Sequence, residues 1–228
     1  MPITTCVFDA YGTLFDVAAA ARIAAAEPGR AAFAAKWPQI AADWRAKQLQ
    51  YTWLRAVSDT HTDFWQVTQD GLDYALEAAG LADPELRERL MALYFELAAF
   101  EEVPEMLAQL KNAGMNTAIL SNGSPEMLTG AVESAGIGEH LDAVLSVQTT
   151  GVFKPHKSVY DLVGQRFNTS PDQVLFVSSN GWDAAYASHY GFQTVWVNRA
   201  GEPMDRLPAS PQHILADLSG IAKLAGKL

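Results

Sequence analysis

The stretch Ile3-Thr4-Thr5-Cys6-Val7-Phe8-Asp9-Ala10-Tyr11-Gly12-Thr13-Leu14 decides the fold. An apolar run from Ile3 to Phe8 predicts a short strand, and Gly12 permits the tight backbone turn that must follow it. Asp9 therefore stands at the carboxyl end of a strand. Beyond it the signals turn helical: an alanine-rich segment over 17–26, then Trp37 to Arg55, Phe64 to Gly80 and Pro84 to Leu97. From Asn116 the pattern changes again. Strands are expected at Asn116 to Leu120, Ala143 to Val147, Gln173 to Val177 and Gln193 to Val197, with helices at 125–135, His156 to Phe167 and Trp182 to Tyr190 between them. Strands alternating with helices predict an α/β fold with a doubly wound, Rossmann-like parallel sheet, interrupted after its first strand by an all-helical insertion. The expected division is an α/β core over residues 1–15 and 99–228 and a helical unit over 16–98, with Glu101 to Pro104 as the hinge where the chain returns.

In such sheets ligands bind at the carboxyl ends of the strands. Asp9, Ser121-Asn122 and Ser178-Ser179-Asn180 occupy those ends here, with Lys154 and Asp183 just beyond. Polar chemistry thus collects on one edge.

Composition narrows the function classes. At 228 residues, 49% of them hydrophobic and 18% charged, the chain suits a folded core plus a small accessory domain. Its formal charge of -10 argues against a nucleic-acid surface, which needs clustered Lys and Arg. Any anionic substrate must be met by a few local donors. Cys6 is the single cysteine, inside an apolar run, so a buried free thiol is expected and a disulfide within the chain is excluded. The first residues lack the pattern of a secretory signal, and no run reaches the 18 or so apolar residues of a membrane span; a cytoplasmic enzyme is expected. His61, His140, His156, His189 and His213 show no close metal-pair spacing, and no metal or cofactor is expected. His189 is the histidine nearest the expected site and a candidate auxiliary base.

A carboxylate nucleophile needs a cation to keep it ionised, donors to fix its rotamer and a second group to direct water at the covalent intermediate. Asp9, Lys154, Thr13 with Ser178, and Asp183 could supply these. Each residue taken alone has a plainer reading, as a turn cap or a solvated charge.

Taken together and in order, Phe8-Asp9-Ala10-Tyr11-Gly12-Thr13-Leu14, Ile119-Leu120-Ser121-Asn122-Gly123, Lys154-Pro155 and Val177-Ser178-Ser179-Asn180-Gly181-Trp182-Asp183 resemble the haloacid dehalogenase superfamily over nearly the whole chain. Trp44-Arg45-Ala46-Lys47-Gln48-Leu49-Gln50-Tyr51-Thr52-Trp53-Leu54-Arg55 is similar to the cap segment of its L-2-haloacid dehalogenases. The departures from the superfamily's many phosphatases are informative. Phosphatases of this type carry a second Asp two residues after the nucleophile, as general acid; this chain has Tyr11, and a departing halide needs no proton. They also hold magnesium with acidic residues after the fourth strand, where this chain offers Ser178, Ser179, Asn180 and one carboxylate, Asp183.

The resemblance implies that Asp9 displaces halide from a short L-2-haloacid with inversion, and that water then hydrolyses the aspartyl ester to a D-2-hydroxy acid. It implies that Lys154 pairs with Asp9, that Thr13 and Ser178 fix its carboxylate, and that Asp183 with Asn180 positions or activates the water. Arg45 and Asn122 would cradle the halide. Ser121 and the N–H groups of Ala10 and Tyr11 would hold the substrate carboxylate. Tyr11, Leu49, Phe64 and Trp182 would wall the alkyl chain, and Tyr160 joins the substrate-binding set. A homodimer is also implied. Two alternatives stay open on sequence alone: a magnesium-dependent phosphatase of the same fold, and a catalytically silent binding protein.

Overall fold

In the computed structural model, which describes residues 1–19 and 21–228, the opening strand β1 (Thr5–Phe8) lies third in a six-stranded sheet of order β3-β2-β1-β4-β5-β6. All four of its residues are buried, as expected of a strand covered on both faces by helices. After β1 the insertion contributes five helices, α1 (Val17–Ala26), α2 (Ala31–Ala34), α3 (Trp37–Val57), α4 (Phe64–Ala78) and α5 (Pro84–Ala92). The remainder runs α6 (Val103–Asn112), β2 (Asn116–Ser121), α7 (Pro125–Ala135), β3 (Ala143–Ser146), α8 (Lys157–Phe167), β4 (Val174–Ser178), α9 (Gly181–Tyr190), β5 (Gln193–Val197), β6 (His213–Leu215) and α10 (Ile221–Ala225).

Every strand pair is parallel. The chain builds outward from β1 to β2 and β3, then returns to lay β4, β5 and β6 on the other side. The winding direction therefore reverses beside β1, where an open α/β sheet parts its loops into a crevice. Register levels the strand ends there: Phe8 pairs with both Ile119 and Val177, so Asp9, Ser121 and Ser178 finish within a residue or two of one another.

The insertion crosses from the sheet and back along two adjacent segments. Phe15 pairs antiparallel with Ala99, Asp16 N–H donates to Ala98 O at 3.1 Å, and Phe100 N–H donates to Leu14 O at 3.0 Å. Asp16 then caps α1 by accepting from Ala18 and Ala19 N–H, and Asp63 caps α4 by accepting from Gln66 N–H, satisfying amides that a helix start leaves free. Gly71 lets α4 close on α3: a Cβ there would stand 3.2 Å from Trp44 Cδ1 and 3.3 Å from Gln48 N. Inside that contact Trp44 Nε1 donates to Thr68 O at 2.8 Å, Gln48 Nε2 to Thr68 Oγ1 at 2.8 Å, and the Tyr94 hydroxyl to Gln48 Oε1 at 3.1 Å. This buried polar network fixes the inner face of the insertion.

Two expectations shift. The helix from Pro84 ends at Ala92 rather than Leu97, because the amides of Tyr94, Phe95 and Glu96 each reach back only three residues, a tighter coil that closes the helix. The expected hinge at Glu101 to Pro104 is half helix: α6 starts at Val103 with Pro104 in its first turn, where the missing N–H is no loss.

Candidate active site

Asp9 follows directly from β1 and is 6% exposed. Its Oδ1 accepts from Lys154 Nζ at 3.1 Å, and its Oδ2 accepts from Asn180 Nδ2 at 2.9 Å and Thr13 Oγ1 at 3.2 Å. Three donors from three loops thus fix one carboxylate. Lys154, 1% exposed, also donates to Asp183 Oδ2 at 2.8 Å, and the Tyr160 hydroxyl donates to Asp183 Oδ1 at 2.9 Å. Lys154 is anchored through its backbone as well, since its N–H donates to Asn122 Oδ1 at 3.0 Å.

The electrostatics follow from burial and pairing. Burial opposes the Lys154 ammonium, but Asp183 and then Asp9 outweigh it and hold the group above its ordinary value, so it is charged. Burial raises Asp183, with Lys154 and Tyr160 pulling the other way. Tyr160 is driven well up by burial and then by Asp183, so it keeps its proton and serves as a donor. Asp9, Asp183, Lys154 and Arg45 together are close to neutral before any ligand arrives. A single carboxylate ligand would leave such a centre only one charge out of balance.

Above Asp9 lies a cavity of about 20 Å³ lined by Asp9, Tyr11, Arg45, Leu49, Phe64, Ser121, Asn122, Lys154, Asn180 and Trp182. Helix α3 of the insertion supplies Arg45 and Leu49, α4 supplies Phe64, α9 supplies Trp182, and the strand ends and the loops that follow them supply the rest. Arg45 Nη2 donates to Asn180 Oδ1 at 3.1 Å, so the guanidinium holds the amide whose other end holds Asp9. Asn122 spends its oxygen on Lys154, which leaves its NH2 as the end available to a ligand. Ser121 Oγ accepts from Gly123 N–H at 3.1 Å, leaving its own hydrogen to donate. Among the described residues neither Ala10 N–H nor Tyr11 N–H donates to another backbone group. Tyr11 stacks on Phe64 with ring centroids 6.0 Å apart, and burial pushes its phenol well up. Its hydroxyl and Trp182 Nε1 are buried without a partner.

Most residues expected from sequence therefore converge, but three do not act where they were expected. Ser178 is fully buried and accepts Asn180 N–H at 3.1 Å; the donor expected from it on Asp9 is Asn180 instead, and Ser178 supports the turn that presents Asn180. Tyr160 does not line the cavity. It lies beneath, at 1% exposure, because α8 packs its ring against Phe176 and Phe192 and points its hydroxyl at Asp183. His189 is exposed in the last turn of α9 and lines no part of the cavity; the auxiliary-base idea has no geometry behind it. Sequence reading gave Ser179 no role. Its N–H donates to Thr13 Oγ1 at 2.8 Å, which orients the Thr13 hydroxyl toward Asp9, while Trp196 Nε1 holds Ser179 O at 3.1 Å. Only the meeting of the β1 and β4 loops reveals that partnership.

Residues 3–191 match the haloacid dehalogenase-like hydrolases. The chain belongs to that family. Over 228 residues, all of this chain and 98% of the relative, it is 41% identical to (S)-2-haloacid dehalogenase 1 of Pseudomonas sp. strain CBS-3. It is 40% identical to (S)-2-haloacid dehalogenase 4A of Burkholderia cepacia, over 99% of this chain and 96% of that one. Among solved structures, the L-2-haloacid dehalogenase of Xanthobacter autotrophicus with chloropropionic acid covalently bound superposes with a TM-score of 0.87 at 35% identity, covering 97% of this chain and 98% of that one.

Proposed function

We propose that this family member is a hydrolytic dehalogenase that converts short L-2-haloacids to D-2-hydroxy acids. The observation that carries the reading is Tyr11. Two residues after the carboxylate, where an alkoxide leaving group would require a proton donor, stands a buried phenol stacked on Phe64 and held far above neutral pH. A halide leaves with the bonding pair and needs no proton. The relatives' names and the covalent chloropropionate adduct support the same choice.

In this reading an Asp9 oxygen attacks C2 from the side opposite the halogen. The C–O bond forms as the carbon–halogen bond breaks, and the carbon inverts. Lys154, Asn180 and Thr13 hold the carboxylate in one rotamer, so little reorganisation accompanies attack. Arg45 and the Asn122 NH2 receive the developing halide, the point where preorganised donors have most leverage. Ser121 and the Ala10 and Tyr11 amides take the substrate carboxylate. Tyr11, Leu49, Phe64 and Trp182 exclude water from the alkyl chain. Water then adds to the Asp9 acyl carbon and gives up a proton, the ester C–O bond on the acyl side breaks, and the departing alkoxide takes up that proton, so the hydroxy acid leaves with the original Asp9 oxygen. Asp183 serves this step as proton acceptor through Lys154, which bridges it to Asp9, while Asn180 positions the water. Ser178 and Tyr160 act through Asn180 and Asp183 as positioning residues. Lys154 supplies the fixed cation of the site.

The reading includes the helical insertion as a cap over residues 16–98, with the core as 1–15 and 99–228, and a homodimer. Leu54 and Val57 near the end of α3 and Tyr74 on α4 give the insertion an exposed apolar face suited to that contact. A cytoplasmic location belongs to it too; among the described residues no helix is long and apolar enough to cross a membrane.

The test is halide release from L- and D-2-chloropropionate, with chelator present, for the wild type and Asp9→Asn. Turnover of the L form alone, unaffected by chelator and abolished in Asp9→Asn, is the expected result. A chain that releases no halide from any short 2-haloacid, or an Asp9→Asn variant that retains full activity, would overturn the proposal.

A further inference from the structure

The catalytic cavity holds about 20 Å³, room for roughly one water and far less than a haloacid anion needs. Something in its wall must move to admit substrate. A second cavity, of about 340 Å³, lies between α1 and α3, walled by Ala18, Ala21, Trp37, Ala41 and Trp44, and exposed at its rim. The two share one residue, Arg45. It is the one charged side chain in the lining of the apolar chamber.

We propose that this chamber is the port by which the substrate anion reaches Asp9, with Arg45 as its gate. The proposal rests on the dehalogenase reading. Beside Arg45 the chamber is lined by Tyr94 and Trp44, and both of these are locked. Tyr94 donates to Gln48 at 3.1 Å and Trp44 to Thr68 O at 2.8 Å, both inside the buried network of the insertion. Arg45 is half-buried, has no carboxylate within ion-pair distance among the described residues, and is tethered to Asn180 by one hydrogen bond of 3.1 Å. A long flexible side chain on one neutral tether is the cheapest part of the wall to displace. It also carries the charge that draws in an anion. Two other clefts offer no such welcome: one carries Asp63 and Glu126 with no basic residue, the other Asp70, Asp73 and Glu77 against a single Arg55. In a protein of formal charge -10, an apolar passage ending on a guanidinium is the favourable path for a short organic anion.

A port differs from a binding pocket in its kinetics, because narrowing it slows arrival and departure alike and leaves affinity unchanged. Ala41→Phe and Ala18→Phe narrow the chamber from α3 and α1 separately, so one serves if the other misfolds. Each is placed in the Asp9→Asn background, and binding of L-2-chloropropionate is followed by stopped-flow tryptophan fluorescence; rapid-quench measurement of aspartyl-ester formation with Asp9 intact gives the same rate independently. Association and dissociation rate constants should both fall about tenfold, with Kd within about twofold. Unchanged association rates, or a Kd that rises while association keeps its rate, would overturn the port and assign access to movement of the whole insertion. A wild type that releases no halide sinks the dehalogenase reading itself, whereas a wild type that turns over with unhindered wedge variants sinks the port alone.

Discussion

Replacing Tyr160 with Phe removes one oxygen from beneath the site and little else. The ring keeps its edge contacts with Phe176 and Phe192, but Asp183, fully buried, loses the donor on its Oδ1 and keeps only Lys154 on Oδ2. A hydrogen bond to a buried carboxylate contributes about 1.5 to 3 kcal/mol. That bond favours the ionised form, so its loss moves Asp183 further up. Asp183 is already raised by burial, and the lost bond had been lowering it, so the two effects now add. The acid limb of the kcat/KM profile for halide release should therefore shift to higher pH. Stability carries the same sign. The variant's deficit is present where Asp183 is ionised and shrinks as pH falls through the Asp183 titration, because protonated Asp183 no longer needs the donor. Urea unfolding at neutral pH and at about pH 5 measures this difference. If KM rises while the acid limb stays in place, Tyr160 touches substrate after all and its role under Asp183 is refuted.

Lys154→Met should abolish halide release and cost about 3 to 5 kcal/mol in urea unfolding at neutral pH, since it leaves two buried carboxylates facing each other; a variant within 1 kcal/mol or so of wild type would contradict the pairing. Because Asp183 and Asp9 hold Lys154 above its ordinary value, the stability it contributes is complete below about pH 10.4 and is lost only as pH rises through the higher folded value, which denaturation across the alkaline range checks. Gly123→Ala places a Cβ 2.8 Å from Tyr11 Cε2 and 3.1 Å from Leu128 Cδ2; thermal unfolding should show a loss of about 1 to 3 kcal/mol, and KM for 2-chloropropionate should rise as Tyr11 is driven into the cavity.

What the chain discloses in advance depends on how local each cause is. The alternation after Asn116 predicted β2 through β5 because a buried parallel strand needs a continuous apolar run, and such runs are visible in one dimension. Strand β6 was missed: three residues, one of them exposed, pair only because β5 is already in place. Helix α6 is legible in Val103, Met106, Leu107 and Leu110, spaced for one buried face, with Pro104 in its first turn. In the site, the charged and amide residues were recognisable because chemistry restricts their types. The support beneath them was not. Ser178, Ser179 and Tyr160 are hydroxyls on different elements, and which one faces Asp9, Thr13 or Asp183 is decided by register between β1 and β4 and by the rotation of α8.

That division of labour bears on the chemistry. Asp9, Lys154 and Asp183 all come from outside the insertion: the end of β1, the loop after β3 and the first turn of α9. Arg45 alone brings charge from the other side, and its bond to Asn180 ties the position of the insertion to the amide that orients the nucleophile. When a ligand draws Arg45 away from Asn180, Oδ1 of that amide is freed. In the dehalogenase reading it would then be an acceptor beside Asp9 for the hydrolytic water. The residue that admits the substrate would then also prepare the site for hydrolysis, which couples the two half-reactions without a further catalytic group.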